Sequence, residues 1–166
     1  MRGLLDAYSP NRVERVALFV LLALVLAALA APLISPQNPY DLAQLNVADG
    51  RLPPGSAADA GGVGRYWLGS DDQGRDMLSA ILYGLRISLL VGVSSTLLAL
   101  ACGLSLGLIA GYIGSRIDTL VMRVADIQLS FPAILIALVL LAVLGQGVGK
   151  IVAALFAVQW AYYART

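Results

Sequence analysis

Residues Leu68–Gly92 read LGSDDQGRDMLSAILYGLRISLLVG. The chain is 59% hydrophobic and only 13% charged, yet this one stretch holds Asp71, Asp72, Arg75, Asp76 and Arg86. They stand directly before a long apolar run. Ser70 with Gln73 three residues later has the pattern of a capping box. Met77, Leu78, Ile81, Leu82 and Leu85 recur at i, i+1, i+4, i+5 and i+8, one apolar face of a helix. The pattern predicts a short amphipathic helix over about 70–85, lying along a membrane interface or against neighbouring helices. Arg75 is expected to pair backward with Asp71 or Asp72. A connector that merely positions the following span fits the same residues.

Downstream, Ile87–Ile113 is apolar for 27 residues, about 40 Å as a helix, so it must tilt or emerge at its ends. Ser95, Ala99, Gly103, Gly107 and Gly111 repeat every fourth residue. Such a stripe lets a second helix backbone come close. A turn, GSRIDT, leads to a third apolar segment, Leu120–Gly145. Arg123 and Asp126 lie three apart near its start and are expected to satisfy each other, because charges inside a span are costly. Pro132 has no N–H to donate and would clash with the Gln128 carbonyl, which predicts a kink or a late helix start. Ser130 is placed to satisfy the freed backbone groups. After the turn GQGVGK, a fourth segment over 148–164 meets Trp160, Tyr162, Tyr163 and Arg165, an aromatic and basic set suited to an interface.

Upstream, Val16–Ile34 is a 19-residue apolar run behind Arg12 and Arg15. Its length matches the hydrocarbon core of about 30 Å. A basic start and the small residues Ala28, Ala30 and Ala31 also fit a cleavable signal peptide; the three later apolar segments favour a retained helix. Between this run and the opening stretch, Arg51–Trp67 (RLPPGSAADAGGVGRYW) reads as an irregular, mobile loop marked by Pro53-Pro54-Gly55 and Gly61-Gly62. Tyr66-Trp67-Leu68 suits a membrane–water boundary.

The mean hydropathy of +0.82 and the long apolar runs define an all-α polytopic membrane protein. A net charge of +1 leaves no footprint for nucleic acid. The absence of histidine excludes His-based catalysis and His-ligated metals, and the lone Cys102 cannot form an intrachain disulfide. No catalytic residue, cofactor or metal site is expected. Lys and Arg counts on the two sides of the membrane differ by only one, so charge barely orients the chain. The predicted layout is a tail over 1–15, a first span over 16–34, a polar loop over 35–86 with the amphipathic helix, and a core over 87–166 with spans 87–113, 120–145 and 148–164.

At this point a resemblance enters. WLGSDDQGRDMLSAILYGLRISLLVG resembles the segment before the second span of C-type permease subunits in bacterial dipeptide, oligopeptide and nickel ABC importers. The likeness continues through GYIGSRIDTLVMRVADIQLSFPAILIALVLLAVLGQG and QWAYYART, and covers LAAPLISPQNPYD near the start. Gly69, Asp71, Gly74, Arg75, Asp76, Gly84, Arg86, Ser88, Arg123, Asp126, Pro132 and Trp160 stand in the family's order and spacing. The resemblance implies a cytoplasmic N-terminus, a periplasmic loop over 35–86, and a six-span subunit of the bacterial inner membrane. It also implies a homologous second permease, two ATPase subunits that hydrolyse ATP, an external substrate-binding protein and surrounding lipid as partners. Asp71, Gly74, Arg75, Asp76 and Arg86 are then expected to hold the outer architecture together. Arg123 and Asp126 brace the cytoplasmic end of the third span, with Pro132 beyond them, and Gly103, Gly107 and Gly111 serve helix packing. In that family a coupling loop and two more spans follow the fourth span, whereas this sequence runs to Thr166, and it holds no phosphate-binding G-x-x-x-x-G-K stretch. The expectations are a permease subunit or its N-terminal fragment, with a non-transporting remnant or a self-oligomerising channel or carrier as the alternatives.

Overall fold

A computed structural model describes residues 11–58 and 63–165, with only the backbone of Ser115. The expectations for residues 1–10 of the tail and for Gly61-Gly62 fall outside the described residues. Five α-helices are present among them: α1 (Arg12–Ile34), α2 (Met77–Ile113), α3 (Ser115–Leu129), α4 (Ala133–Leu144) and α5 (Val148–Arg165). Two compact units divide near Ile87 and Ser88.

In the first unit, α1 starts behind Asn11, whose N–H donates to the Glu14 carboxylate (3.1 Å). The helix tolerates Pro32 near its end. The segment after it forms two 3-10 turns, Leu42–Gln44 and Val47–Asp49. The stretch predicted as an irregular loop instead contains a minimal antiparallel ladder of β1 (Ser56–Ala57) and β2 (Arg65–Tyr66).

The separate amphipathic helix over 70–85 does not form. Helix begins only at Met77 and runs without interruption through 37 residues, about 55 Å. Ser70 is not its cap. The Ser70 hydroxyl donates to the Asp49 carbonyl and accepts from the Leu52 N–H (2.8 Å), and Ser70 forms a β-bridge with Asp76. The S-x-x-Q pattern loses because Gly69 (φ +85°) and Gly74 (φ +74°) turn the chain in the left-handed region. A Cβ on Gly69 would meet the Leu52 carbonyl oxygen at 2.6 Å, and one on Gly74 would strike the Asn46 carbonyl. The chain is therefore folded against the preceding segment until Asp76, where the true cap sits.

In the second unit the third apolar segment is broken rather than kinked. The axes of Arg116–Leu129 and Ala133–Leu144 differ by 88°, the geometry of a broken span or a re-entrant loop. Pro132 stands immediately before α4 and Ser130 caps α3, its hydroxyl donating to the Asp126 carbonyl (2.7 Å). Both arms pack against α5. Two helices, α1 and α2, are long and apolar enough to cross a bilayer, and the bent pair would bring the number to three. The fourth expected span, over 148–164, corresponds to α5, which falls outside that number. In α5, Lys150, Gln159 and Arg165 dilute an 18-residue helix.

The packing is inverted relative to a water-soluble protein. Fully or nearly fully buried positions on the helices are mostly small: Ala28, Ala31, Ala99, Ala110, Ala125, Ala154 and Ala161. Leucines face outward, with Leu33 87% exposed. Small residues at helix contacts with large aliphatics outside are what lipid requires, since lipid tails are as apolar as leucine.

Candidate functional site

The polar residues predicted to matter gather mainly in the first unit, around the start of α2. Asp76 is fully buried. Its Oδ2 accepts from the Ser79 N–H (2.8 Å) and the Ser79 hydroxyl (2.6 Å), which caps α2 with an ionisable group at the positive end of the helix. Gln37, three residues past α1, closes the arrangement. Its Oε1 accepts from the Asp76 N–H (2.7 Å), its own N–H donates to Ser79 Oγ (3.2 Å), and its Nε2 donates to the Gln44 carbonyl (2.7 Å). One amide side chain thereby ties the exit of α1 to the entry of α2. Tyr40 and Tyr83 add an edge-to-face contact at 6.1 Å beside it.

A second buried pair lies beneath the loop. Tyr66 and Asp49 are both fully buried, and the phenol donates to Asp49 Oδ2 (3.2 Å). Burial first, then the hydrogen bond and charge of Asp49 and the charge of Asp76, push the phenol up to about 12. Tyr66 was expected at a membrane boundary with Trp67 and Leu68. Only Trp67 and Leu68 are exposed, with the Arg65 guanidinium 5.4 Å from the Trp67 ring centre.

The expected pairing of Arg75 with Asp71 or Asp72 does not occur. Asp71 Oδ1 accepts from the backbone N–H groups of Gln73 (2.8 Å) and Arg75 (2.9 Å), closing a tight turn. Asp72 instead pairs with Arg51 (2.6 Å) at the surface, which holds its carboxyl below the usual range through the hydrogen bond and then the charge. The reason is geometric: with no helix over 71–75, the i, i+4 spacing brings no side chains together. Arg86 lies exposed on α2.

In the second unit, Arg123 and Asp126 do not satisfy each other. Asp126 pairs with Arg165 at the end of α5 (2.6 Å), and Arg123 is exposed. Tertiary packing of α3 on α5 offers a better-placed cation than the neighbour on the same helix. One turn further on, Gln128 uses both ends of its amide. Its Nε2 donates to the Ala157 carbonyl and its Oε1 accepts from Trp160 Nε1 (3.1 Å). Trp160 and Arg165, read from sequence as an interface anchor, are thus spent on α3.

The small-residue stripe is used unevenly. A Cβ on Gly103 would fall 2.7 Å from the Tyr163 Cβ and 2.9 Å from the Ala164 nitrogen, and one on Gly107 would fall 2.6 Å from the Ala164 oxygen. A Cβ on Gly111 would meet nothing within 4 Å. The close approach of α2 and α5 therefore ends before Gly111. Gln37, Asp49 and Ser79 carry no signal in the sequence, and Tyr66 reads there only as a boundary residue. No local pattern marks the contacts Gln37–Ser79, Gln37–Asp76 and Tyr66–Asp49, because their members lie 17 or more residues apart. Among the described residues no cluster of three or more His, Cys, Asp or Glu is placed to hold a metal ion.

Apolar helices with alanine contacts and outward leucines, joined by a polar segment pinned at the helix ends, define an all-α membrane protein. Two family models match the chain. Residues 103–166 match the binding-protein-dependent transport system inner membrane component, and residues 8–54 match the N-terminal TM domain of oligopeptide transport permease C. The di/tripeptide transport system permease protein DppC of Pseudomonas aeruginosa (strain UCBPP-PA14) is 37% identical over 160 residues, 96% of this chain and 51% of that protein. The dipeptide permease DppC of Haemophilus influenzae is 38% identical, covering 95% of this chain and 52% of its own length. The nickel transport system permease protein NikC of Escherichia coli (strain K12) is 36% identical, covering 88% and 51%. The chain belongs to the C-type permease family of dipeptide, oligopeptide and nickel ABC importers. It spans about half the length of the curated relatives it matches.

Proposed function

We propose that the chain forms the N-terminal, membrane-embedded part of a permease subunit that moves di- or oligopeptides, or a related cargo such as nickel, across the bacterial inner membrane. The observation that carries this reading is continuous similarity to peptide and nickel permeases across both units, over 96% of the chain for the Pseudomonas protein. In this reading the N-terminus is cytoplasmic and residues 35–76 lie outside. The chain supplies four of six spans: α1, α2, the bent α3–α4 pair and α5. The subunit works with a homologous second permease, with two ATPase subunits that hydrolyse ATP, and with an external substrate-binding protein. The polar clasp of Gln37, Asp76 and Ser79 fixes the outer ends of the first two spans, and the Gly103–Gly107 contact sets the distance between α2 and α5.

The test is uptake. A stop codon placed within the gene segment for residues 12–165 should abolish accumulation of a radiolabelled dipeptide, oligopeptide or nickel ion, with recovery from an intact plasmid copy. Unchanged uptake of all three would overturn the reading. A self-oligomerising channel would instead leave transport intact when the partner ATPase genes are deleted.

A further inference from the structure

The helix α3 is amphipathic where its neighbours are apolar. Ile117, Leu120, Val124 and Ile127, with Phe131 just beyond, recur at i, i+3, i+7, i+10 and i+14 and form one stripe. All five are exposed, Leu120 by 65% and Ile127 by 63%. Both acidic residues of α3 lie on its far side. Asp126 pairs with Arg165, and Asp118 lines a cleft with Met122 and Tyr163 against α5. Arg116 and Arg123, seven residues apart, stand on one flank of the stripe. Both are exposed, and neither has an ion pair among the described residues.

The second unit holds α3 level with one face of the membrane. The helix starts where α2 ends, across the single residue Gly114, and its Asp126 meets Arg165, the last residue of α5. Its axis lies 88° from that of α4. A helix that joins the ends of two membrane helices and stands square to a third runs along the membrane surface, the setting of interfacial amphipathic helices.

Two apolar clefts open in the elbow between α3 and α4. One, of about 400 Å³, lies between Val124, Ile127 and Phe131 on one side and Ile136 and Leu140 of α4 on the other. Its polar side chain, Gln128, is already bonded to Ala157 and Trp160. The second, of about 330 Å³, continues along α4 and shares Phe131, Ile136 and Leu140 with the first. Adjoining apolar clefts suit an amphiphile with two chains. Arg123 lies one residue from Val124 and one turn from Ile127, so its stem can follow the apolar surface while its head stays at the interface. With two free arginines and no acid on this face, the electrostatics select a negative headgroup. We infer that the α3–α4 elbow binds an anionic phospholipid, with its acyl chains in the two clefts and its phosphate on Arg123. Arg116, on the same flank, adds to the attraction. Resting on the permease reading, this is a lipid of the cytoplasmic leaflet.

The experiment places the full-length subunit, with the subunits that co-purify with it, in nanodiscs of phosphatidylcholine and phosphatidylglycerol at equal mole fraction. The added fluorescence of an Ile127→Trp variant is read with brominated chains on one lipid at a time. Phosphatidylglycerol should show the higher affinity, by about fivefold for each arginine engaged. Adding Arg116→Gln/Arg123→Gln should abolish the preference, while Arg116→Lys/Arg123→Lys keeps most of it. Three results overturn the site. Equal quenching by the two lipids would make the elbow an ordinary lipid-facing surface. No quenching by either would mean that other protein covers the clefts. A preference that survives the glutamine variant would place the anion elsewhere. Failure of the permease reading leaves these outcomes unchanged, because a nanodisc exposes both leaflets alike, and shows in the uptake test instead.

Discussion

The largest fully buried side chains of the first unit are Tyr66, Asp49, Asp76 and Ser79, whereas on the helices of the second unit, Ser95 and Gly103 apart, the most buried positions are alanines and two valines. The first unit orders a chain of low periodicity, so it relies on buried donors and acceptors whose loss leaves a partner unsatisfied. The second orders helices whose backbone bonds are already made, so it relies on backbone-to-backbone proximity. The difference teaches where each unit is fragile. Removing a hydrogen-bonding atom should damage the first, and adding volume should damage the second.

The largest expected effect is Gly103→Leu. Its side chain would enter the Tyr163–Ala164 backbone, where nothing flexible can yield, at a cost of about 3 kcal/mol or more. Gly111→Leu faces open space and should leave packing of α2 on α5 intact. Disulfide cross-linking between cysteines placed on α2 and α5 beside the Gly103 contact would read both, and equal losses would break the comparison. Asp76→Ala comes next, at about 2–3 kcal/mol, because it removes a helix cap and strands the buried Ser79 hydroxyl. Faster proteolysis of the 35–76 segment, with α2–α5 cross-linking unchanged, is the expected result.

Tyr66→Phe should cost about 1 kcal/mol, and its pH signature is sharper than its size. The unfolded phenol titrates near 10, and in the fold it is pushed up to about 12. The folded state keeps a proton that the unfolded chain loses, so this contribution is intact below about pH 10 and drains away as pH rises toward 12. Phenolate absorbance at alkaline pH should therefore appear together with loosening of the loop. In the second unit, Gln128→Leu and Trp160→Phe should show a coupling of about 1 kcal/mol in a double-mutant cycle. The smallest effect is Arg51→Ala. Its ion pair with Asp72 is exposed, so any stability it adds exists above the carboxylate range, is lost as pH falls through it, and should be undetectable by thermal unfolding.

Regions of strong periodicity were legible before any coordinates. Val16–Ile34 lies within α1, Ile87–Ile113 forms most of α2, and 148–164 matches α5 within a residue. Pro132 marked the break but not its 88° angle, because proline removes one donor and leaves the direction of the next arm to packing against α5. The capping box at Ser70 and the pairs Arg75–Asp71 and Arg123–Asp126 were misread for one shared reason. Each was inferred from spacing along a helix, but Asp71 closes a turn onto the nearby Gln73 and Arg75 backbone N–H groups, and residues distant in sequence took the others: Asp49 for Ser70, Arg51 for Asp72, Arg165 for Asp126.

By itself, then, the sequence determined that this protein lives in a membrane, where its apolar segments lie, and which permease family it resembles. Those properties follow from hydrophobic length and motif order, which are local. Only the tertiary structure decided that Asp76 rather than Ser70 begins the long helix, that Gln37 clasps two helix ends, and that α5 meets the glycine stripe at Gly103 and Gly107. Each of these depends on which groups meet across long stretches of chain. A buried polar atom takes whichever partner folding brings within reach, and spacing along the chain does not name it.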